Sequence, residues 1–332
     1  MKKRILVRVD GSKEIGLGHV YNMLTVLNNF KNDNLLVVMN HKKNLGYSKF
    51  KKSHIKVKFF KNKSQLEKIL KSFKPNIIFN DTLNTTFSYT LLLKKYSTLL
   101  VNFEDIGSGR KNADLIFNPI YYSNNTKQEF FGHQFACVRN EFRKNSKYYL
   151  RKNVKQIAIT FGGTDPTNKT FYVLQTLMKL NLLNVTINVI LGIGYSKKIE
   201  LKKLIDKMSK NGFKINLVEK SDNISEFLRH SDFVITSNGR TVFEIAAMKI
   251  PMIAIAVNKR ERTHSFVART KCGFQLNSSS SQIFKKLDSY ILKISEKNQR
   301  QKFVKNLEKH NLLNGLPLVV SIINQKYSQK TN

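Results

Sequence analysis

The chain has 332 residues, of which 58 are Lys or Arg and 22 are Asp or Glu, giving a formal net charge of +36. A hydrophobic fraction of 41% excludes a disordered polymer, and the length suits two cores better than one. Two widely separated cysteines, Cys137 and Cys272, exclude a disulfide framework and a cysteine zinc site and fit a reducing cytosol.

At the N-terminus, Met1-Lys2-Lys3-Arg4 is basic, but the apolar run behind it stops at Val9-Asp10, too short for a secretory signal. No later stretch has the apolar length of a membrane span, so the expected location is cytoplasmic. Short apolar runs then alternate with helical patterns, the signature of a parallel α/β sheet. The first half predicts strands at 5–9, 35–39, 55–60, 77–79, 99–102, 115–117 and 135–138, and helices at 20–30, 64–72 and 88–96. The polar stretch Arg143-Lys144-Asn145-Ser146-Lys147, followed by Arg151-Lys152-Asn153, reads as a linker. Beyond it, strands are predicted at 156–161, 186–191, 214–217, 233–236 and 251–256. Helices are predicted there at 168–180, 197–209, 224–230, 241–248, 261–271 and 281–296, and the segment from 298 reads as helical with a disordered end at 325–332. The expected organisation is an N-terminal Rossmann-like domain over 1–143, a C-terminal one over 154–315 and a tail over 316–332. Each half opens with a strand and a glycine-bearing loop, and the two loops are expected to face each other across a cleft.

Four segments carry chemistry. In the first, Ile15-Gly16-Leu17-Gly18-His19 places an imidazole where a strand hands over to a helix, the usual ligand position of an open α/β sheet. Gly16 and Gly18 permit a tight turn and close backbone approach. His19 is either a base that takes a proton from water at neutral pH or a residue that only caps the turn, and Asp10 can orient it or hold a sugar hydroxyl. A dinucleotide fingerprint fails here, because Tyr21 stands at the third glycine position and no acidic residue ends the next strand. The second segment, Asn238-Gly239-Arg240-Thr241 to Glu244, follows a strand and opens a helix. Asn238 can cap that helix, Gly239 admits a phosphate to the free N–H groups, and Glu244 can accept both hydroxyls of a ribose; the plain alternative is a capped connection with a solvated Glu244. In the third, Gly162-Gly163-Thr164-Asp165 to Asn168 fits either a diphosphate or a simple turn with an N-cap. The fourth, Asn258 to His264, borders the second, and His264 is either part of that site or a surface residue of a charged helix.

In order along the chain stand Arg8-x-Asp10-x-Ser12-x-x-Ile15-Gly16-x-Gly18-His19, Glu104-Asp105, Asn112-Ala113-Asp114, Arg139-x-Glu141-Phe142, Gly162-Gly163-Thr164-Asp165, Asn238-Gly239-Arg240-Thr241-x-x-Glu244 and Asn258-x-x-Glu261-x-x-His264. Over residues 4–275 this pattern resembles the UDP-sugar hydrolases of pseudaminic acid biosynthesis and their relatives, the spore-coat-polysaccharide-type glycosyltransferases. The resemblance implies a GT-B fold of two Rossmann-like domains with UDP held mainly by the C-terminal one. It implies hydrolysis of UDP-2,4-diacetamido-2,4,6-trideoxy-β-L-altropyranose to sugar and UDP, without metal or cofactor. His19 matches the family's catalytic histidine, and Arg8, Ser12, Thr164, Asn258 and Glu261 fall in its substrate-binding motifs. Asn22 departs from the family, which often has a basic residue shortly after the histidine.

Transfer of the same sugar to a hydroxyl acceptor needs the same donor site and base, so a glycosyltransferase is the rival reading. A rival of another class is a basic nucleic-acid-binding protein. The lysines, however, are scattered in pairs (Lys42-Lys43, Lys51-Lys52, Lys94-Lys95, Lys202-Lys203, Lys285-Lys286) with no aromatic-basic RNA motif among them. That pattern favours compositional drift over a specific nucleic-acid partner, with weak attraction to anionic membrane surfaces as a by-product.

Overall fold

Among the described residues, thirteen strands form two sheets paired in parallel throughout. The computed structural model describes residues 2–12, 16–40, 44–143, 148–219, 221, 223–277 and 280–332, apart from the side chains of 280–285. Ile15, the lysine pair at 42–43 and linker positions 144–147 lie outside the described residues, as does the Lys285 side chain.

One unit comprises Met1–Val138 together with Leu312–Asn332. Its strands are β1 (Arg4–Val9), β2 (Asn34–Met39), β3 (Lys56–Phe59), β4 (Ile77–Asp81), β5 (Leu99–Phe103), β6 (Leu115–Asn118) and β7 (Glu129–Phe131), in the order β3-β2-β1-β4-β5-β6-β7. Alternation along the strands divides the core. Val7, Val9, Phe79, Val101 and Phe103 pack on one face with helix Gly18–Leu27, while Leu6, Ile78 and Leu100 pack on the other with helix Lys63–Phe73. The latter helix starts on Asn62, whose side chain accepts from the Gln65 amide at 3.0 Å, while Gln65 reaches back to the Lys61 amide at 2.8 Å.

The other unit comprises Arg139–Asn311. Its strands are β8 (Gln156–Thr160), β9 (Thr186–Leu191), β10 (Lys214–Glu219), β11 (Phe233–Ser237), β12 (Met252–Ile255) and β13 (Gly273–Leu276), in the order β10-β9-β8-β11-β12-β13. Both sheets therefore reverse strand order beside their first strand, at β1/β4 and at β8/β11. Such reversals open a crevice at the carboxyl ends of the strands, where ligands bind in open α/β sheets.

The structure differs from the sequence reading in five places. Residues 316–332 are not a separate tail and 325–332 are not disordered: helix Gly315–Thr331 buries Leu316, Val319 and Ile323 in the first unit's core. Its apolar spacing fits one helix face, and Gly315 sits so close to Ala136 that an added Cβ would lie 2.2 Å from the Ala136 carbonyl oxygen. The units divide after Val138 rather than across 143–154, because Tyr148 and Arg151 both bond Asp232 of the second unit. No strand forms at 135–138: the edge strand is β7, and Gly132 at φ 100 turns the chain off the sheet. The short, half-polar β13 and the helix Tyr47–Lys52 had no clear pattern to announce them. Finally, 261–271 is a 3-10 turn, Glu261–Thr263, followed by a separate helix, Phe266–Thr270.

Candidate functional site

In the first unit the order reversal brings together the ends of β1 and β4. Ser12 and Gly16 form an isolated bridge, the Gly16 amide donating to the Ser12 carbonyl at 2.9 Å, and Gly16 takes φ 73. Gly18 opens the helix, so His19 lies in its first turn, buried. His19 Nδ1 is 2.5 Å from Asp81 Oδ1, and Asn22, one helical turn away, donates to Asp81 Oδ2 at 2.8 Å. On the other side of the ring, His19 Nε2 is 3.9 Å from Glu104 Oε2. All three groups are buried, His19 to 5% and both acids to 1% exposure. With the Nδ1 proton given to Asp81, the neutral tautomer carries its lone pair on Nε2, the state of a general base.

Asp10 does not orient His19. Its carboxylate accepts from Arg8, from the Asn40 amide at 2.9 Å and from Asn44 at 2.8 Å, tying the end of β1 to the segment after β2. Arg8 is buried to 6% with its guanidinium over the Phe60 ring. Asp81 escaped the sequence reading; its signal was the polar Asn80-Asp81 pair closing an otherwise apolar strand. Glu104 was visible only as part of a resemblance, although its backbone is unusual, with φ 54.

In the second unit, the turn after β8 runs through Gly162 at φ 71 and Gly163. Gly194 donates to the Gly163 carbonyl at 2.9 Å, and a side chain at Gly162 would meet nothing nearer than Ser237 Oγ at 4.0 Å, so this turn borders open space. The following helix, Lys169–Lys179, is capped by Asp165, which accepts from the Lys169 and Thr170 amides at 2.8 and 2.9 Å, with Thr164 buried beside it. Asn168 holds the N-cap position without a side-chain capping bond; its Oδ1 accepts from the Tyr195 hydroxyl at 2.5 Å.

Across the reversal, Asn238 does not cap helix Thr241–Ala247, for which Arg240 holds the N-cap position. The Asn238 side chain instead donates to the carbonyls of Glu261 and His264 at 2.9 and 3.0 Å. Its own carbonyl receives His264 Nδ1 at 2.7 Å. Glu261 Oε2 accepts from the Asn238 and Val257 amides, both at 3.1 Å, while Asn258 Oδ1 accepts from the Glu261 amide at 2.9 Å. Desolvation pushes the Glu261 carboxyl up to about 7 despite these amides and Arg260. Glu261 Oε1 would lie 3.0 Å from a Cβ at Gly239, so a side chain there would press on the Glu261 carboxyl. Thr241 begins the helix and Glu244 sits in its first turns, held by Arg139 through Nε at 2.6 Å and Nη2 at 3.1 Å. Arg139 also meets Glu141 at 2.6 Å. Thus Glu244 is fixed in a bidentate ion pair rather than solvated, and Arg139 is a partner that the spacing of the motifs did not reveal.

No protein-family model matches the chain. An uncharacterized protein of Methanocaldococcus jannaschii is 30% identical over 276 residues, 78% of this chain and 57% of that protein, so the chain spans just over half the length of this relative. The spore coat polysaccharide biosynthesis protein SpsG of Bacillus subtilis is 22% identical over 264 residues, 74% of this chain and 75% of SpsG. Among solved structures, MurG of Acinetobacter baumannii matches with a TM-score of 0.67 at 12% identity, covering 97% of this chain and 99% of MurG. HepE of Anabaena, solved with UDP and glucose, matches with a TM-score of 0.58 at 14% identity, covering 97% and 100%. The architecture is the GT-B type, two Rossmann-like α/β domains with parallel sheets. Among the described residues, no helix is long and apolar enough to cross a membrane.

Proposed function

We propose that the chain is a UDP-sugar enzyme of surface-polysaccharide or nonulosonic acid biosynthesis that hydrolyses a UDP-2,4-diacetamido-2,4,6-trideoxy sugar, of the β-L-altropyranose type, in the cytosol. The observation that carries this reading is the buried His19–Asp81 pair at the strand-order reversal of the first unit. Support also comes from the polysaccharide role in the name of SpsG and from the UDP and glucose bound by the HepE structure.

In this reading His19 Nε2 takes a proton from water while the water oxygen bonds to the anomeric carbon. The bond from that carbon to the phosphate oxygen breaks, and its electron pair leaves with UDP. The residue pattern assigns the nucleotide to the second unit. Backbone N–H groups of the Gly162-Gly163 and Gly239-Arg240-Thr241 turns stabilise the diphosphate charge as it grows. Glu244, clamped by Arg139, keeps one lone pair on each oxygen for the ribose hydroxyls. Asn258, Glu261 and His264 hold the Asn238-Gly239 turn in shape. Arg8 and Asp10 tie the end of β1 to the segment after β2, and Ser12 bridges Gly16 ahead of the helix that carries the base. We assign no specific nucleic-acid partner to the charge.

A glycosyltransferase acting on the same donor is the second reading, favoured by the GT-B likeness itself. The test is to incubate the protein with a panel of UDP-sugars without acceptor and measure free UDP, then to repeat in ¹⁸O-water. Label is expected in the released sugar; label in UDP would mean attack at phosphorus and would defeat the proposal.

A further inference from the structure

The residues assigned to the nucleotide sugar stand at the carboxyl ends of the strands. At the opposite end of the first sheet, a cavity of about 610 Å³ opens at the amino ends of β1, β4 and β5. We infer that this cavity binds a small organic phosphate, a phosphomonoester carried free or on a lipid headgroup, through Arg4, Lys71, Lys74 and Lys95. Such a site is separate from the nucleotide-sugar chemistry and shares none of its residues.

The volume is that of a small-molecule site rather than of a lone ion. Its base is built from three strand starts. Arg4 opens β1, and Asn76 directly precedes β4. Asn76 Oδ1 accepts from the Arg4 amide at 2.8 Å, and the Asn76 amide donates to the Arg4 carbonyl at 2.8 Å. The Asn76 carbonyl accepts from the amides at the start of β5, Thr98 and Leu99, both at 3.1 Å. The walls are the ends of two helices, Lys63–Phe73 with its cap Lys74, and Phe87–Lys95 with its cap Tyr96. Arg4 Nε donates to the Lys74 carbonyl at 2.7 Å, which orients the guanidinium for two-pronged contact with phosphate oxygens. The exposed lysines supply mobile point charges. Tyr96 is half-buried, with Lys95 Nζ 5.5 Å from its ring centroid, and offers the organic part a flat wall.

Charge decides the class of ligand. Among the described residues that line the cavity, four are cations and none is an acid. Part of this charge has a plain use, because each helix carboxyl end is worth about half a negative charge and attracts cations. One acid, Glu67, stands beside the wall, accepting from the Tyr96 hydroxyl at 2.6 Å and lying 3.6 Å from Lys71. The Tyr96 hydroxyl, and after it Lys71 and Lys95, hold the Glu67 carboxyl below its usual range, so it is ionised near neutral pH. The two helix ends and Glu67 together offset about half of the four positive charges. The excess of about two is the charge that a phosphomonoester carries near pH 7. Lys74 sharpens the point. It takes φ 49 at the cap, a position where glycine is the usual residue, and so brings a cation to the rim where capping alone asks for none.

The experiment titrates glycerol 3-phosphate into the protein by calorimetry at about 0.15 M salt, where diffuse attraction is screened. Two double variants test the site: Arg4→Gln with Lys74→Gln, and Lys71→Gln with Lys95→Gln. The second pair changes only exposed helix positions, so the test survives if the first pair fails to fold. A charge-matched control, Lys202→Gln with Lys203→Gln, lies on the exposed face of helix Lys198–Lys210 in the second unit. The wild type should bind saturably, either site pair should weaken binding about tenfold or more, and the control should change it less than about twofold. Dimethyl phosphate, with a single charge, should bind about tenfold more weakly than glycerol 3-phosphate. Vesicles of phosphatidic acid and of phosphatidylcholine distinguish the source. Binding to phosphatidic acid alone, displaced by glycerol 3-phosphate and lost in both site pairs, assigns the phosphate to a lipid headgroup. Glycerol 3-phosphate binding without vesicle binding assigns it to a free ligand. Absence of saturable binding would overturn the inference. So would an equal loss in the control, which would mean that the net charge of +36 attracts phosphate diffusely. Neither result bears on UDP release, so the nucleotide-sugar reading stands or falls separately.

Discussion

The two units share one strand order and place opposite kinds of chemistry at the same topological point. Where β1 meets β4, the first unit gathers titratable side chains: His19, Asp81 and, just after β5, Glu104. Where β8 meets β11, the second unit offers glycine turns, backbone amides and an Arg139–Glu244 clamp. A Rossmann-like crevice is thus neutral as to function. Side chains that exchange protons suit it to making and breaking bonds, while amides that stay protonated at any physiological pH suit it to holding a diphosphate. Burial sharpens the contrast. The imidazole is buried between two acids, whereas a side chain at Gly162 would meet nothing nearer than Ser237 Oγ at 4.0 Å.

If this division of labour is right, damage to one unit should leave the other's role standing. The largest effect is expected for His19→Asn, which keeps a polar side chain but removes the titratable base. The rate should fall by about 10²-fold or more with UDP affinity unchanged in calorimetry. Loss of UDP binding in this variant would break the comparison. The converse variant, Glu244→Ala, removes the proposed ribose acceptor and the carboxylate that Arg139 holds. UDP affinity should weaken by about 1.5–3 kcal/mol, the worth of hydrogen bonds to a charged group, and unaltered affinity would take Glu244 out of the site.

The fold was legible in the sequence because its central strands are buried, so β1, β4, β8 and β11 each carry a short apolar run, Ile5–Val7, Ile77–Phe79, Ile157–Ile159 and Phe233–Ile235. Two of the four edge strands were not: β7 and β13 are short, mixed in polarity and set by glycines whose contacts are invisible locally, while the edges β3 and β10 fall on predicted runs. Site residues on glycine loops were legible for the opposite reason, since a glycine pair closing a strand has few other uses. The partners were hidden. Asp81 stands 62 positions from His19 and Arg139 stands 105 from Glu244, and only strand order brings them together. Asp10 illustrates the cost: proximity in sequence made it the natural partner of His19, while the sheet places Asp81 there instead.

A finer cut separates the charge of Asp81 from its geometry. In Asp81→Asn one amide oxygen can still accept from His19 Nδ1, but the amide nitrogen then faces the Asn22 NH2 group. Asn22 can accommodate this by turning over, because its Oδ1 is buried without a partner. The dyad should therefore keep its shape and lose only the negative charge that stabilises the imidazolium. We expect a rate lowered about tenfold, less than for His19→Asn, with the Asn22→Ala, Asp81→Asn double variant lower still. An equal loss for Asp81→Asn and His19→Asn would mean that the charge, not the orientation, is the main contribution of Asp81.

The smallest effect concerns the second unit and the buried acid beneath its Gly239 turn. Glu261 is pushed from its ordinary value of 4.5 up to about 7, because burial opposes its charge more than two amides and Arg260 favour it. The folded chain therefore holds this proton more tightly than the unfolded chain does. The stabilisation is fully present below pH 4.5 and is lost as pH rises to about 7, after which it no longer changes. Glu261→Gln keeps an oxygen for the Asn238 and Val257 amides but cannot ionise. The variant should match the wild type near pH 4.5 and exceed it by a few degrees of Tm, about 2–4 °C, at pH 8. A difference that is constant across that range would show that the carboxyl titrates near its ordinary value, and that the Gly239 turn rests on hydrogen bonds alone. A variant that is instead less stable at pH 8 would show that the ionised carboxylate, held by the two amides, is what keeps the turn in place.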